Sequence, residues 1–376
     1  AERSPAWSPN GRYIAYWSDR SGEYELTVRD LQNNNTERKL TNYGAGFRYQ
    51  LYWSPNSTLL AFIDKAMEVF IFDMQNNRTL KVDKQLTQFE GGLRNFSVSW
   101  SADSRYMAYA KDQENSGSAI AIYDVKEQKT RQVTAGFYND ANPAFDPDGK
   151  YLYLLTNREY SPIYSDFDNS FVYANSTQVA AVPLTNETAS PMAPKNDVTA
   201  INGEEKKDEA KKEEHKKGKK EEAEKDKEES NEPKPVNITF DNFEQRLVIL
   251  PIDAGQFRQL KAVSGKVVYH RAPNAGSNAK ERPIVYFDLE KREEKTIVKN
   301  ADGFEISADG KKIMIASKGT FAIVEIAADQ KMDKTMPVKN MEMTVVPREE
   351  WKQIYNDAWR FERDFFYDPN MHGVDW

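Results

Sequence analysis

The sequence predicts an all-β protein, a β-propeller of four-stranded blades followed by a C-terminal α-helix. Three observations predict it. A short phrase recurs at a nearly fixed step, each copy is followed by the same series of strand-like runs, and the last thirty-odd residues switch to helical spacing. The phrase is Trp7-Ser8-Pro9-Asn10-Gly11, then Trp53-Ser54-Pro55-Asn56-Ser57, Trp100-Ser101-Ala102-Asp103-Ser104 and Phe145-Asp146-Pro147-Asp148-Gly149, at steps of 46, 47 and 45 residues. A period of roughly 40–50 residues marks a propeller or a solenoid. The residues between the copies decide for the propeller.

Each phrase reads as a tight turn between two strands. Pro presets φ at the second turn position, Asn or Asp tolerates the third, and Gly closes the turn. The run after it is aromatic, β-branched and apolar on both faces: Tyr13–Trp17, Leu59–Ile63, Tyr106–Ala110 and Tyr151–Leu155. Such a strand lies between two layers. A third strand follows at Glu25–Asp30, Val69–Asp73 and Ala119–Asp124, each ending in Asp before a polar turn. A fourth is expected at Arg38–Thr41, Lys84–Thr87 and Arg131–Thr134. Four antiparallel strands per repeat make a propeller blade.

The period resumes later. Ile306-Ser307-Ala308-Asp309-Gly310 is a clear copy, and Leu260–Tyr269 reads as a degenerate hairpin around Ser264-Gly265, with Pro283–Leu289 as that blade's third strand. Six blade openings result, near Trp7, Trp53, Trp100, Phe145, Ser264 and Ile306. The propeller is expected to span residues 1–340. Between the fourth and fifth openings lies a charged insertion at about 190–235. Its centre, Glu204–Glu229, holds ten Lys against twelve acidic residues. A run of this composition buries too little apolar surface to offset its ordering entropy and is expected to be disordered. Strand pattern is expected again at Val236–Phe240 and Arg246–Leu250.

After Asn340 the pattern changes, and residues 341–376 are expected to open a helical domain. Pro347-Arg348-Glu349-Glu350 is a helix start. Trp351, Ile354, Tyr355, Ala358, Trp359, Phe361 and Phe365 then recur at three- and four-residue steps until Tyr367-Asp368-Pro369. This aromatic face either packs on the propeller or opens a further, truncated domain, and the second is the expectation.

Bulk composition narrows the function. Lys and Arg number 52 against 59 Asp and Glu, a net charge of −7. That balance gives no electrostatic case for nucleic acid, and no stretch approaches the length of a membrane span. Cysteine is absent, so disulfides, thiol nucleophiles and Cys-ligated metals are excluded. Three His are present. His215 falls in the charged insertion, His270 after a strand and His372 in a turn after the helix. No Gly-x-Ser-x-Gly elbow marks a nucleophile to meet any of them. Asp146-Pro147-Asp148-Gly149 and Asp166-Phe167-Asp168-Asn169 lack the full spacing of a calcium loop and read as turn and loop. The Trp and Tyr residues of the blades read as inter-blade core. No catalytic, cofactor-binding or metal-binding residue is assigned, and no cofactor is implied.

The C-terminal residues carry a resemblance. Glu350-Trp351, Asp357-Ala358-Trp359-Arg360 and Arg363-Asp364-Phe365-Phe366-Tyr367-Asp368-Pro369-Asn370-Met371-His372-Gly373-Val374-Asp375-Trp376 look like the segment that follows the second propeller of the tricorn proteases. The resemblance covers essentially the whole chain. It implies part of an oligopeptide-degrading serine peptidase whose propeller has seven blades, and a propeller channel that guides or filters peptide or unfolded polypeptide. In that family the catalytic His lies later in the helical domain, and the nucleophilic Ser lies in an α/β domain beyond a PDZ-like module. None of those positions matches a residue here, so this chain alone is expected to be inactive. The resemblance also implies a homo-oligomer. The blades enter at Ala1 without a start Met, so the chain is read as a portion of a longer protein. A cytoplasmic location is expected, with a periplasmic one as the alternative. The repeats alone equally resemble a TolB-type binding propeller without enzymatic activity, or the propeller of a prolyl oligopeptidase.

Overall fold

The computed structural model describes residues 1–194, 233–338, 340–368 and 370–376. The charged run and His215 lie outside the described residues. The described strands form six consecutive antiparallel sheets. Blade 1 is β1 (Glu2–Trp7), β2 (Tyr13–Ser18), β3 (Glu25–Asp30) and β4 (Thr36–Lys39). Blade 2 is β5 (Tyr52–Trp53), β6 (Leu59–Ile63), β7 (Glu68–Asp73) and β8 (Arg78–Lys84). A short helix α1 (Glu90–Asn95) leads to blade 3, β9 (Val98–Trp100), β10 (Tyr106–Asp112), β11 (Ser118–Asp124) and β12 (Lys129–Gln132). Blade 4 begins with β13 (Ala141–Phe145) and β14 (Tyr151–Thr156). A separate hairpin, β15 (Ile163–Ser165) with β16 (Ser170–Val172), interrupts it before β17 (Gln178–Pro183) and β18 (Val248–Ile249) complete the sheet. Blade 5 is β19 (Gln256–Val263), β20 (Lys266–Ala272), β21 (Ile284–Asp288) and β22 (Glu293–Val298). Blade 6 has three strands, β23 (Gly303–Ile306), β24 (Lys312–Ser317) and β25 (Thr320–Glu325), and a single bridge from Ala322 to Thr335 stands where a fourth would pair.

The repeated phrase builds one turn many times. Ser8 donates to Asn10 Oδ1 at 2.7 Å and accepts from the Tyr13 amide at 2.8 Å. Ser54 with Asn56 and Leu59, Ser101 with Asp103 and Tyr106, and Ser307 with Asp309 and Lys312 repeat both bonds. The fifth position of the turn takes the left-handed conformation, at Gly11 (φ 69°), Gly149 (φ 70°) and Gly310 (φ 68°), but also at Ser57 (φ 60°) and Ser104 (φ 62°). Those two serines hold an unfavourable backbone for a reason outside their own blade. Asn10 N donates to Ser57 Oγ at 3.1 Å, and Asn56 N donates to Ser104 Oγ at 3.0 Å. Each hydroxyl therefore ties its turn to the preceding blade.

Apolar side chains on both faces of the middle strands produce five buried clusters, one between each pair of successive blades. Ala15, Trp17, Leu26 and Val28 meet Trp53, Leu60, Phe62 and Phe72 between blades 1 and 2. On β10 the alternation is explicit: Met107 and Tyr109 pack toward blade 2, while Tyr106 and Ala108 pack toward blade 4. Similar layers join blades 4 and 5 and blades 5 and 6. Among the described residues no sixth cluster joins blade 6 to blade 1. Trp7, on the outer face of blade 1 beside Ile14, is 64% exposed, whereas Trp53 at the matching place in blade 2 is 8% exposed. The expected inter-blade role of the phrase tryptophans holds for Trp53 and Trp100, while Trp7 has no blade against it among the described residues.

Other expectations need correction. The fourth strands end earlier than expected, at Lys39, Lys84 and Gln132. In blades 1 and 3 a Thr hydroxyl takes over from the ladder: Thr41 Oγ1 accepts from Leu26 N and Thr134 Oγ1 from Ile120 N, both at 2.9 Å. Val236–Phe240 forms no strand. Val236 is buried against the blade 3–4 cluster, and its amide donates to Asp103 Oδ2 at 2.8 Å instead of to a neighbouring strand. Only Val248–Ile249 of the second expected stretch pairs, as β18.

The C-terminal helix α2 (Pro347–Phe365) forms where its spacing places it. It docks on blade 1, but chiefly through its polar side. Arg360 is its one buried residue. It donates to Asp19 Oδ2 at 2.9 Å, to Asp357 Oδ1 at 2.8 Å and to the Gly22 carbonyl at 2.6 Å. Arg363 makes a two-pronged pair with Glu23 at 2.6 and 3.0 Å. From the aromatic stripe, Phe361 and Phe365 reach Phe47, at 5.8 and 5.1 Å between ring centres. Trp351, Ile354 and Tyr355 stay exposed. The acidic β2–β3 loop selects arginines as the docking face, which a hydrophobic count along the helix does not register.

Candidate functional site

The first strand of each blade is its innermost. First strands of blades 2 to 6 contribute residues to one cavity of about 410 Å³ on the propeller axis. Side-chain-to-backbone hydrogen bonds between successive first-strand regions hold its wall together. Trp53 Nε1 donates to the Ala6 carbonyl at 3.0 Å, and the Tyr52 hydroxyl donates to the Phe96 carbonyl. Ser99 Oγ accepts from Phe145 N at 2.9 Å. Asn142 Nδ2 donates to the Arg258 carbonyl at 3.3 Å, and Gln259 Oε1 accepts from Phe304 N at 3.2 Å. Each step between successive blades from 1 to 6 thus carries one such bond. Burial pushes the Tyr52 phenol up to about 12, which keeps it protonated and donating.

These polar positions interrupt otherwise apolar strands because the inner edge of a blade faces open space and not another sheet. The wall carries Gln50, Asn95, Ser97 and Ser99 as neutral hydrogen-bonding groups, and Arg94, Arg258, Lys261 and Glu305 as charges. Such a lining can hold an extended backbone through amide and hydroxyl contacts. It contains no arrangement of nucleophile, base and orienting acid. Sequence reasoning missed these residues. The available signal was the polar character of the first strand in each blade, set against the apolar second strand.

The residues weighed from sequence do not converge. His270 sits on β20, 1% exposed, with both ring nitrogens buried and the backbone of Arg282 and Ala301 beside them. Burial and then the charge of Arg258 hold its pKa below the usual value, against the weaker opposite influence of backbone groups of Arg282 and Ala301. His372 lies in the 3₁₀ turn Met371–Gly373, where Nδ1 is 3.2 Å from Asp368 and Nε2 meets the Tyr367 hydroxyl. It is a half-exposed turn residue with no serine partner among its hydrogen bonds. Asp146 points its carboxylate at the amides of Asp148 and Lys150, both at 3.2 Å, which is turn chemistry. Asp166–Asn169 forms the tip of the β15–β16 hairpin, where Asp168 accepts from Ser170 at 2.9 Å. Among the described residues, no group of three or more His, Asp or Glu side chains is placed to hold a metal ion.

Comparison with known proteins fixes the family. Residues 1–327 match the family described as the tricorn protease second beta propeller domain. This chain belongs to the tricorn protease family. Residues 347–376, the docked helix and the turn after it, match the tricorn protease C1 domain. The chain is 22% identical to tricorn protease homolog 1 of Streptomyces coelicolor over 97% of its length and 34% of that protein's. It is 24% identical to the tricorn protease of Thermoplasma volcanium over 93% of its length and 31% of that protein's. The crystal structure of the tricorn protease superposes with a TM-score of 0.74 at 18% identity, covering 98% of this chain and 33% of that one. A prolyl endopeptidase structure reaches 0.51 at 13% identity, over 90% of this chain and 43% of that one, and shares the fold. The chain spans about a third of the length of these curated tricorn relatives. It matches the propeller region of that family, and its relatives are named as proteases.

Proposed function

We propose that this chain is the non-catalytic, channel-bearing part of a serine-type peptidase that degrades oligopeptides. Its axial cavity guides and filters polypeptide toward an active site built by other domains. The observation that carries the reading is the polar, hydrogen-bonding wall contributed by five successive blades around one axial opening. Family membership supports the reaction class. Two described His residues that meet no serine support placing the catalysis elsewhere. The open outer face at Trp7 supports a seventh blade beside blade 1 in the intact protein. A homo-oligomeric, cytoplasmic enzyme completes the reading.

The absence of cysteine provides a clean test. In an intact peptidase containing this chain, Gln50→Cys on the cavity wall is labelled with a bulky maleimide. Labelling is expected to depress kcat/KM for long peptides several-fold and to leave dipeptide-sized substrates unaffected. Unchanged turnover of long peptides at full labelling contradicts a substrate path along the axis.

A further inference from the structure

The charge of the cavity wall is one-sided. Arg94, Arg258 and Lys261 line it against a single carboxylate, Glu305. Arg94 is partly neutralised by Glu90 at 2.8 Å. Arg258 and Lys261 make no ion pair among the described residues. Arg258 occupies the register shift between Phe257 and Gln259, so it has no partner on β20. Bulges of this kind re-aim a side chain out of the pleat. Its own carbonyl is held by Asn142 of blade 4, which fixes the backbone from which the guanidinium projects. Lys261 follows on the same strand, close to Gln259, whose side chain is committed to Phe304 N.

Several arginines at strand ends elsewhere on this protein are matched. Arg12 pairs with Asp30 at 2.7 Å, Arg105 with Asp124 at 2.9 Å and Arg271 with Glu294 at 2.7 Å. Arg258 and Lys261 are thus two cations without an ion pair on one cavity wall, in a protein of net charge −7. Unpaired charges in a concave wall focus their field into the opening, and a guanidinium takes a carboxylate through two parallel hydrogen bonds.

We propose that the axial cavity is selective for acidic, extended polypeptide. Side-chain and C-terminal carboxylates pair with Arg258 and Lys261, while Gln50, Asn95, Ser97 and Ser99 serve the peptide backbone. The proposal rests on the reading of the cavity as a polypeptide path and adds the class of polypeptide it favours.

The test titrates the 376-residue chain with fluorescein-labelled peptides of alternating Glu-Gly, Ser-Gly and Lys-Gly, each about ten residues long, read by anisotropy at low and high salt. The Glu-Gly peptide is expected to bind about tenfold more tightly than the Ser-Gly peptide and to lose that margin at high salt. The double variant Arg258→Glu with Lys261→Glu is expected to transfer the preference to Lys-Gly while circular dichroism stays unchanged. A variant lacking residues 204–229, with their ten lysines, is expected to keep the acidic preference. Equal affinity for the three peptides overturns the inference and leaves the path reading standing. An acidic preference that survives the double charge reversal, or disappears with residues 204–229, also overturns it. Failure to bind any of the peptides removes both.

Discussion

The backbone amide of Asn10 donates to the hydroxyl of Ser57 at 3.1 Å, joining the turn of one blade to the turn of the next. Ser57 holds a left-handed backbone (φ 60°) to present that oxygen. Ser57→Ala is expected to lose the bond and to cost about 1 kcal/mol in urea unfolding. Ser57→Gly also loses it but relieves the backbone, so its cost is expected to be smaller. Equal loss in the two variants would show that the backbone is unstrained.

Trp53 and Trp7 are the same word in two copies of one phrase, with opposite surroundings. Trp53 lies between blades 1 and 2, stacked on Tyr13 with ring centres 6.2 Å apart. Trp53→Ala is expected to cost roughly 3–5 kcal/mol. Trp7→Ala, at an exposed face, is expected to stay within about 0.5 kcal/mol. Thermal melts of the two variants check the difference.

Arg360 anchors α2 on the β2–β3 loop through Asp19 and the Gly22 carbonyl. Arg360→Ala leaves Asp19 without its main cationic side chain, and α2 is expected to undock. The readout is faster proteolysis between residues 327 and 346, with the blades intact. Acid should do the same. The Arg363 guanidinium holds the Glu23 carboxyl below its usual range, outweighing burial. At Asp19, burial acts upward, but hydrogen bonds, among them those from Gln353 and Arg360, bring the pKa below the usual value. Carboxylates depressed in the folded state contribute above their unfolded pKa and lose that contribution as pH falls through the folded value. Undocking is therefore expected below about pH 4 and not between pH 5 and 8.

His270 acts over a higher range. A buried imidazole with a lowered pKa favours the neutral form, so the folded state binds fewer protons than the unfolded chain. Its stability is complete above about pH 6.5 and falls as the pH drops toward the lowered folded value. His270→Leu removes the group that must charge on acidification, so it is expected to raise Tm at pH 5 relative to its effect at pH 8. Equal shifts at the two pH values would contradict a titrating His270.

Blade order, turn chemistry and the middle strands were legible because local constraints set them. Ser8, Asn10 and Gly11 need only their own five residues to make a turn. Relationships across blades were not legible. Ser57 with Asn10 and Ser99 with Phe145 join residues nearly fifty positions apart, and no local periodicity specifies them. The fourth strands were placed too late because a Thr hydroxyl can stand in for a ladder bond, as at Thr41 and Thr134. The cavity wall was missed for a similar reason: Arg258 and Lys261 look like ordinary surface charges until the ring of blades turns their strand toward the axis.

The central claim is that this chain carries the path and not the chemistry. Incubation of the 376-residue chain with fluorogenic oligopeptides, followed by product analysis, tests it most directly. The expected result is no cleavage above the buffer blank at any peptide length. Turnover that disappears on substitution of His270, His372 or a serine within the chain would contradict the account.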